Sequence, residues 1–305
     1  MTEKANFTIG CDPEFFLKKE GKLISAIPFL TGTKWEPTPL TKGNIQKDNV
    51  AVEVATRPAS SIEEFIDNIK TTLSEATKML PEGSEIVAVP SASFSEDQLK
   101  DPEALAFGCE PDYCAWDVAE NPRPKCSDVT FRSCGAHIHV GTTGEDENAF
   151  LLSFEGKLNT VKAMDCFHGI ISTVLDSSKE ALDRRKLYGK PGAHRPKDYG
   201  VEYRVLSNYW LKSPVTVMLM YHMVIDALKV IRENKLDELV NNIGGGKKIK
   251  DIIMSGDVKE ALRVIESFVM PLMSKDSVFY FNEAIAKIKA DDMHLYKEWE
   301  MEKKG

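Results

Sequence analysis

The chain has 305 residues, enough to bury a substantial hydrophobic core in one large domain or two. Its hydrophobic fraction (42%) and charged fraction (28%) are typical of a soluble globular protein. The net charge of −8, from 39 basic and 47 acidic residues, argues against a surface devoted to duplex DNA or to an anionic membrane.

The sequence carries no signal for export or for a membrane. No apolar run approaches the roughly 20 residues that a spanning helix needs, and the first residues lack the apolar segment of a signal peptide. We therefore expect a cytoplasmic protein. The cysteines are expected to be reduced thiols, and because no C-x-x-C pair occurs a structural zinc is disfavoured. They are Cys11, Cys109, Cys114, Cys126, Cys134 and Cys166.

The first 60 residues predict strands at 7–17, 22–28 and 50–55. Asp12 and Glu14 are separated by Pro13, and in a strand the side chains i and i+2 point to one face. Two such carboxylates are hard oxygen ligands suited to magnesium. The alternative is a turn with solvated acids, which Pro13 favours because proline cannot donate to a ladder.

Glu53 is the lone carboxylate of an otherwise apolar strand. A carboxylate in that setting needs a cation, so we favour a metal ligand over a structural acid in a salt bridge. Asp48 and Asn49, just before the strand, are interpreted as a turn rather than as substrate contacts. A helix follows at 62–80, capped by Ser60 or Ser61, and then a short strand at 85–89.

Residues 95–128 are polar and rich in Pro, Asp and Cys, which predicts a long irregular loop. Loops of that length in compact domains are usually functional. Tyr113 and Trp116 within it are candidate substrate contacts.

His137 and His139 share one face of a predicted strand between Gly135 and Gly141. Two histidines on one face, flanked by glycines that allow close approach, favour metal or phosphate contacts over packing. The helical H-E-x-x-H arrangement of zinc proteases is absent.

Residues 147–175 are predicted to be helical with interruptions at Gly156 and Gly169. A flexible basic loop is predicted at 184–197, and its guanidinium groups suit phosphate oxygens. For any single one of its arginines, a solvated surface position is the alternative. Glu202 and Arg204 share a strand face, where they form either a structural ion pair or a metal ligand beside a phosphate-binding arginine.

From Ser213-Pro214 onward the pattern becomes helical, beginning with a helix at 215–231. The run at 244–248 lacks the G-x-x-x-x-G-K-[ST] spacing and is interpreted as a helix connector. We predict an α+β catalytic body at 1–212 and a helical C-terminal region at 213–305 that packs on it, or both within one domain.

Five segments in this order resemble the phage-type amidoligases called COOH·NH2 ligase type 2. These belong to the carboxylate–amine ligase superfamily of glutamine synthetase and gamma-glutamylcysteine synthetase. The resemblance covers roughly residues 8–212. The segments are GCDPEFFL (10–17), DNVAVEVATRP (48–58), FGCEPDYCAW (107–116), GAHIHVG (135–141) and YGKPGAHRPKDYGVEYRVLSNYWL (188–211).

The resemblance implies an antiparallel sheet that forms a concave site for ATP and metal, with flanking helices. It implies ATP and magnesium as cofactors, with manganese as the alternative. Asp12 stands where better-known relatives often have Glu, and its shorter side chain could shift a metal. The implied metal ligands are Asp12, Glu14, Glu53, His137 and Glu202, with His137 a likelier ligand than His139. The implied nucleotide contacts are His139, Arg184 and Arg204, and the implied catalytic residues are Arg195, Arg204 and Arg185.

The expected function is an ATP- and magnesium-dependent carboxylate–amine ligase that forms an amide or peptide-like bond through an acyl phosphate. Its partners would be small-molecule or peptide carboxylates and amines, and the sequence leaves the oligomeric state undecided. If a phage encodes the protein, the expected cytoplasm is that of the host. The alternatives are a guanidino or amine phosphotransferase on the same scaffold and a non-catalytic nucleotide-binding phage accessory protein. A zinc hydrolase is the least favoured reading.

Overall fold

The computed structural model describes residues 6–105, 111–123, 128–145 and 147–303, so Cys109, Cys126 and part of the FGCEPDYCAW segment lie outside them. The strands are β1 (Thr8–Lys19), β2 (Lys22–Ile24), β3 (Thr38–Leu40), β4 (Gly43–Asp48), β5 (Ala51–Thr56), β6 (Ser84–Val87), β7 (Ser91–Ser93), β8 (Tyr113–Cys114), β9 (Ala119–Glu120), β10 (Phe131–Ser133), β11 (Ala136–Gly141), β12 (Ala193–Lys197) and β13 (Gly200–Tyr203). The α-helices are α1 (Ile62–Met79), α2 (Pro102–Leu105), α3 (Phe154–Met164), α4 (Ile170–Leu175), α5 (Lys179–Leu187), α6 (Pro214–Arg232), α7 (Leu236–Ile243), α8 (Gly245–Ser255), α9 (Val258–Val264), α10 (Lys275–Lys289) and α11 (Leu295–Glu298).

Within those residues, an antiparallel sheet of 11 strands has the order β3-β4-β5-β1-β11-β13-β12-β8-β9, with β2 and β6 paired to the far end of β1. The long central strand β1 runs straight through Pro13, so the alternative of a turn with solvated acids is wrong. Pro13 needs no donor there, and the next backbone N–H, of Glu14, donates to Gly135 O at 2.9 Å. The α+β class with an antiparallel sheet, predicted from the sequence, is confirmed.

The alternating faces of β1 explain why one side of the sheet is covered. Ile9, Phe15 and Leu17 are fully buried on the side that packs against helices. The Phe65 ring of α1 lies 6.4 Å from that of Trp210 and 6.3 Å from that of Tyr221 in α6. The opposite face, here called the outward face, carries Asp12 and Glu14 at alternate positions of β1, and at Phe16 it packs against a second, smaller apolar cluster.

The C-terminal helices share the core of the sheet. Trp299, fully buried, donates its indole N–H to Leu211 O at 2.6 Å. Ser213 caps α6 by accepting from Val215 N, with Pro214 in the first turn, as the Ser-Pro signal predicts. Ser61, with its side chain accepting from Glu64 N, is the cap of α1.

Helix α6 contradicts the expectation that no apolar stretch is long enough to span a membrane. It is 19 residues long and apolar enough, by length and composition, to cross a membrane, whereas no such run was expected. Its most apolar 18-residue stretch is 61% buried inside the fold. A core helix shows the same pattern, so the finding is weak evidence for a membrane span.

Three other predictions from the sequence are wrong in detail. Gly156 lies in the first turn of α3, and the helical path 154–175 is continuous through a π-helical segment, Asp165–Gly169. The basic loop predicted at 184–197 is mostly regular structure, because α5 extends to Leu187 and β12 begins at Ala193. The predicted loop at 95–128 contains α2, β8 and β9 in its described part.

Candidate functional site

Strand pairing assembles the predicted polar residues on the outward face of the sheet. Asp12 of β1 lies opposite His137 of β11, and His139 lies opposite Glu202 of β13. Because side chains two apart along a strand share a face, these four groups project from one side. On the flanking strands, Glu202 faces Arg195 of β12, and Glu14 of β1 faces Glu53 of β5.

The centre of this face brings two imidazoles to one carboxylate. His137 Nδ1 lies 3.1 Å from Asp12 Oδ1, and His139 Nε2 lies 3.4 Å from Asp12 Oδ2. The two histidines hold the pKa of Asp12 well below its ordinary value, although burial alone would raise it. Asp12, His139 and Glu202 offer ligand atoms within 4.8 Å of one another, close enough to bind one metal ion.

Glu202 lies at the centre of a group of basic side chains, here called the basic side of the face. It is 1% exposed and lies 2.8 Å from Lys197 Nζ and 3.4 Å from Arg195 Nη1, and Arg204 Nη1 donates to it as well. Burial and the Asp12 charge raise its pKa, but Arg204 and the histidines outweigh them and the pKa is lowered to about 2. In this structure Glu202 and Arg204 therefore form an ion pair.

Arg204 links Glu202 to two further groups. Its Nη1 lies 3.2 Å from His137 Nδ1, and its Nε lies 3.4 Å from the Asp112 carboxylate. The backbone N–H of Arg204 donates to Ala193 O at 2.9 Å, which fixes the start of the side chain against β12. Asp112 was not identified from the sequence, where only a long loop is evident.

The acidic side of the face is formed by Glu14, Glu53 and Asp48. Burial and then the Asp48 charge raise the pKa of Glu14 to about 8, and burial with the charges of Asp48 and Asp12 raises the pKa of Glu53 well above its ordinary value. Glu14 accepts from Gly135 N and Glu53 accepts from Gln46 Nε2, both at 2.6 Å. In the described ranges neither carboxylate has a basic side chain in ion-pair contact.

Asp48 was interpreted as part of a turn, and only its neighbour Asn49 bears that out. Asn49 has φ +54° and makes the turn between β4 and β5, whereas Asp48 is the last residue of β4. Asp48 follows Gln46 by two positions, and Gln46 faces Glu53, so Asp48 projects from the functional face. This alternation is the sequence signal that could have identified it.

Arg184 and Arg185 do not lie in a solvated basic loop. Both belong to α5 and are 2% and 4% exposed. Arg184 Nη1 donates to Val205 O at 2.9 Å, and Arg185 Nη2 lies 3.4 Å from Ser172 O. Arg185 is directed toward the helices, whereas the Arg184 guanidinium reaches the site, because a Cβ at Gly135 would lie 2.6 Å from His137 Nε2 and 2.9 Å from Arg184 Nη2. Of the predicted arginines, Arg184 therefore lies beside His137, and Arg195 and Arg204 lie beside Glu202.

Trp116 is partly buried and packs against the hydrophobic core, so its ring is not free. Its indole N–H donates to Asp165 at 2.6 Å, and Tyr203 donates to the same carboxylate at 2.8 Å. Burial raises the pKa of Asp165 to about 7. Tyr113, at 39% exposure, keeps a surface position beside His194.

Only Gly244 of the connector predicted at 244–248 links two helices: it ends α7 with φ +113°, and residues 245–248 belong to the first turn of α8. Gly246 supports the tryptophan, because a Cβ there would lie 2.5 Å from the Trp116 ring. We expect Gly246→Ala to lower the free energy of unfolding by about 1–3 kcal/mol because the ring must shift. Chemical denaturation measures this, and Lys247→Ala, at an exposed neighbour, should change it by less than about 0.5 kcal/mol. Equal effects of the two substitutions would contradict the packing argument.

A cleft of about 380 Å³ opens beside the polar residues. Small residues (Gly10, Ala55 and Gly141) and Tyr199 are part of its lining. Asp12, Glu53 and His139 line it as well, which joins the cleft to the polar residues.

Comparison with known proteins identifies the family of the chain. Residues 128–299, more than half of the chain, match the family model described as "Phage phiEco32-like COOH.NH2 ligase-type 2". This range contains both histidines, Arg195, Glu202 and Arg204, whereas Asp12, Glu14 and Glu53 lie before it. No curated protein sequence matches the chain.

Similar solved structures share the fold at low identity. Glutamate–cysteine ligase from Francisella tularensis, in complex with AMP, is 10% identical with a TM-score of 0.50, covering 96% of this chain and 84% of that one. Apo GmaS is 12% identical with a TM-score of 0.46 (94% and 70% covered). A bifunctional glutathione synthetase from Pasteurella multocida is 11% identical with a TM-score of 0.39 (92% and 52% covered). The chain thus spans about half the length of that synthetase.

The family match agrees with the resemblance inferred from the five sequence segments, and the likeness to glutamate–cysteine ligase agrees with the fold expected from it. The chain therefore belongs to the phage phiEco32-like COOH.NH2 ligase-type 2 family.

Proposed function

We propose that the chain is an ATP- and Mg²⁺-dependent ligase that joins a carboxylate to an amine through an acyl phosphate. The single observation that carries this proposal is the division of one sheet face into an acidic side and a basic side. Asp48, Glu14 and Glu53 lie on one side, and Arg195 and Arg204 lie on the other. Histidines of β11 stand between them.

The donor atoms fit a hard divalent cation. In the part of the chain that the structure describes, Asp12 Oδ1 and His139 Nε2 are buried without a hydrogen-bond partner. Burial and neighbouring carboxylates raise the pKa values of Glu14 and Glu53, and a cation bound between them would neutralise their charge. Mg²⁺, or Mn²⁺ in its place, would supply charge neutralisation at the phosphates and the incoming carboxylate. The proposed ligand set is Asp12, Glu14, Glu53, Glu202 and one of the two histidines.

The residues of the basic side would act on the transferring phosphoryl group. Arg195 and Arg204 are held by Glu202 so that their positive charge lies at the face, where it can offset charge on phosphate oxygens. We place the nucleotide phosphates between these arginines and His139. Arg184, beside His137, would add a further positive charge at the phosphates, whereas Arg185, directed toward Ser172, would act only through the charge balance of the interior.

The chemistry follows from the weakness of a carboxylate as an electrophile. An oxygen of the substrate carboxylate attacks the γ-phosphorus of ATP, and ADP leaves. The amine nitrogen then attacks the acyl carbon, its proton is lost to solvent or to a carboxylate of the acidic side, and phosphate leaves. The acidic side would attract the ammonium form of the amine.

A cytoplasmic location and the division of the chain at residue 212 stay predictions.

The test follows ADP and phosphate with pools of carboxylates and amines. A ligase releases both products only when a carboxylate is present, and hydroxylamine in place of the amine gives a hydroxamate by capturing the acyl phosphate. A phosphotransferase would release ADP without phosphate or hydroxamate. Nucleotide binding without turnover in any pool would favour an accessory binding protein. Either outcome would overturn the proposal.

A further inference from the structure

Asp165 is a fully buried carboxylate that the proposed mechanism does not use. It opens the π-helical turn Asp165–Gly169, and such turns are frequent at functional sites. Its two oxygens accept hydrogen bonds from the indole N–H of Trp116 at 2.6 Å and from the Tyr203 hydroxyl at 2.8 Å. The two donors belong to different segments, so this one carboxylate joins three parts of the chain.

Tyr203 shows on which side of the sheet the carboxylate lies. It stands between Glu202 and Arg204 in the chain, and successive side chains of a strand point to opposite faces. Tyr203 therefore points away from the outward face, toward the helices, where it is fully buried. Asp165 thus lies behind the basic side and cannot itself contact a substrate on the outward face.

Glycines leave room for both hydrogen bonds. A Cβ at Gly169 would lie 3.1 Å from the Tyr203 hydroxyl oxygen and 3.2 Å from Oδ1 of Asp165. A Cβ at Gly192 would lie 2.8 Å from Cδ1 of Trp116, so the indole ring lies directly against the backbone that leads into β12. The tryptophan is therefore fixed both by its hydrogen bond and by close contact with the backbone.

Trp116 is the last residue of a short segment, residues 111–116, that lies along β12. Strand β8 of this segment pairs with β12, and Ala115 N donates to Gly192 O at 2.9 Å. Because β8 has only two residues, the bond from Trp116 to Asp165 is a second anchor at the end of the segment.

The same segment contacts both arginines of the basic side. The Asp112 carboxylate lies 3.4 Å from Nε of Arg204, and Pro111 O accepts from Nε of Arg195 at 3.4 Å. Asn121 Nδ2 donates to Oδ1 of Asp112 at 2.9 Å, which orients that carboxylate. A guanidinium is a rigid planar fork, so a partner on Nε determines the direction in which its other N–H groups point.

We propose that Asp165 is a positioning residue for phosphoryl transfer. Through Trp116 it holds residues 111–116 in place, and this segment fixes the direction of the two arginines of the basic side. The bond from Tyr203 has a smaller part, because β13 is already paired with both β11 and β12. The inference rests on the proposed function for the presence of a phosphoryl group.

The first test measures kcat for ADP release with the carboxylate and amine that the wild type uses fastest. Asp165→Asn replaces one acceptor oxygen by an amide N–H₂ group, and Trp116→Phe removes the indole donor. We expect kcat to fall about 10- to 100-fold in each variant, the scale of a misplaced catalytic group. Tyr203→Phe should have a smaller effect than either.

The second test determines whether Asp165 acts through Asp112. Asp112→Asn alone should lower kcat, and adding Asp165→Asn should lower it by much less than Asp165→Asn lowers it in the wild type. The reason is that both residues act on the arginines by one route. A carboxylate that only stabilises the fold would show no such coupling, so losses that multiply would overturn the proposal.

Asp226→Asn is the matched control for the loss of a buried carboxylate. Asp226 is 1% exposed and accepts from Ser274 N and Ser277 Oγ in the C-terminal helices. Its replacement should lower the thermal stability without lowering kcat. Thermal unfolding checks that each variant is folded at the assay temperature, and Trp116→Phe decides the question if Asp165→Asn does not fold.

The outcomes separate this inference from the proposed function. Normal amide formation by the wild type, with kcat within twofold of it in folded Asp165→Asn or Trp116→Phe, would reject only the role of Asp165. Absence of turnover by the wild type in every substrate pool would reject the ligase proposal and this inference with it.

Discussion

Replacing Arg204 by lysine is expected to slow nucleotide-dependent turnover about a thousandfold, the scale of an arginine that neutralises a transferring phosphoryl group. Arg204 contacts Glu202 and His137 through Nη1 and Asp112 through Nε. A lysine ammonium is a single point charge and cannot span these three partners at once. It would keep the charge near Glu202 but lose the fixed direction toward the face.

The measurement is the rate of ADP release with the best carboxylate and amine, with Arg232→Lys as control. Arg232 donates to Asn148 at 2.7 Å in a different part of the molecule, so the same substitution should leave the rate unchanged. Thermal unfolding separates a catalytic effect from a folding defect, since Arg204 is 7% exposed. A loss smaller than about tenfold in a folded variant would remove Arg204 from the phosphoryl-transfer step.

The part of this site that could be predicted from sequence is the part set by strand periodicity. Asp12 with Glu14, His137 with His139, and Glu202 with Arg204 each share a face because every second side chain of a strand does. What the sequence does not encode locally is the pairing between strands. The register that places Asp12 opposite His137 joins residues more than one hundred positions apart, and it depends on the burial of the opposite face.

The errors have equally local causes. The glycines and proline near 189–192 suggested one flexible loop, yet Ser178 caps a helix of strong helix formers that carries Arg184 and Arg185 inside. Trp116 could be interpreted as a substrate contact because Asp165 and Gly246, which hold it, are distant in the chain. Tyr199, which lines the cleft, was not identified from the sequence, because a single tyrosine in a turn has no pattern of its own.

These contacts give the two sides of the face different energetics without a bound cation. On the basic side each group has a partner, since Lys197, Arg195 and Arg204 surround Glu202. On the acidic side, burial and mutual repulsion raise the pKa values of Glu14 and Glu53. The metal-free protein should therefore be destabilised specifically through its acidic side, which is a property that can be measured without knowing the substrates.

The metal-free protein is accordingly expected to lose stability as the pH rises. The pKa of Glu14 is about 8 in the folded protein, above the ordinary 4.5 of the unfolded chain, so the folded state binds this proton more tightly. The resulting stabilisation is fully present below the unfolded pKa and is lost as the pH rises through the folded pKa. The loss is on the order of 4 kcal/mol in the free energy of unfolding between about pH 5 and about pH 9. Glu53 has the same sign.

A divalent cation should remove this loss, because it takes the place of the proton as the neutralising charge. Glu14→Gln should therefore be more stable than the wild type at about pH 9 in EDTA, and it should gain less stability from added Mg²⁺. Urea denaturation at both pH values, with EDTA or with excess Mg²⁺, measures all four states.

Asp165→Asn supplies the control for this experiment. Asp165 is another buried acid whose pKa is raised, to about 7, and its bonds to Trp116 and Tyr203 lie away from the acidic side. Its replacement should alter the pH dependence of stability without changing the response to Mg²⁺. If instead the wild type is as stable at high pH as at low pH, and Mg²⁺ does not stabilise it, then Glu14 and Glu53 are not paired with a cation. The acidic side would then need another role.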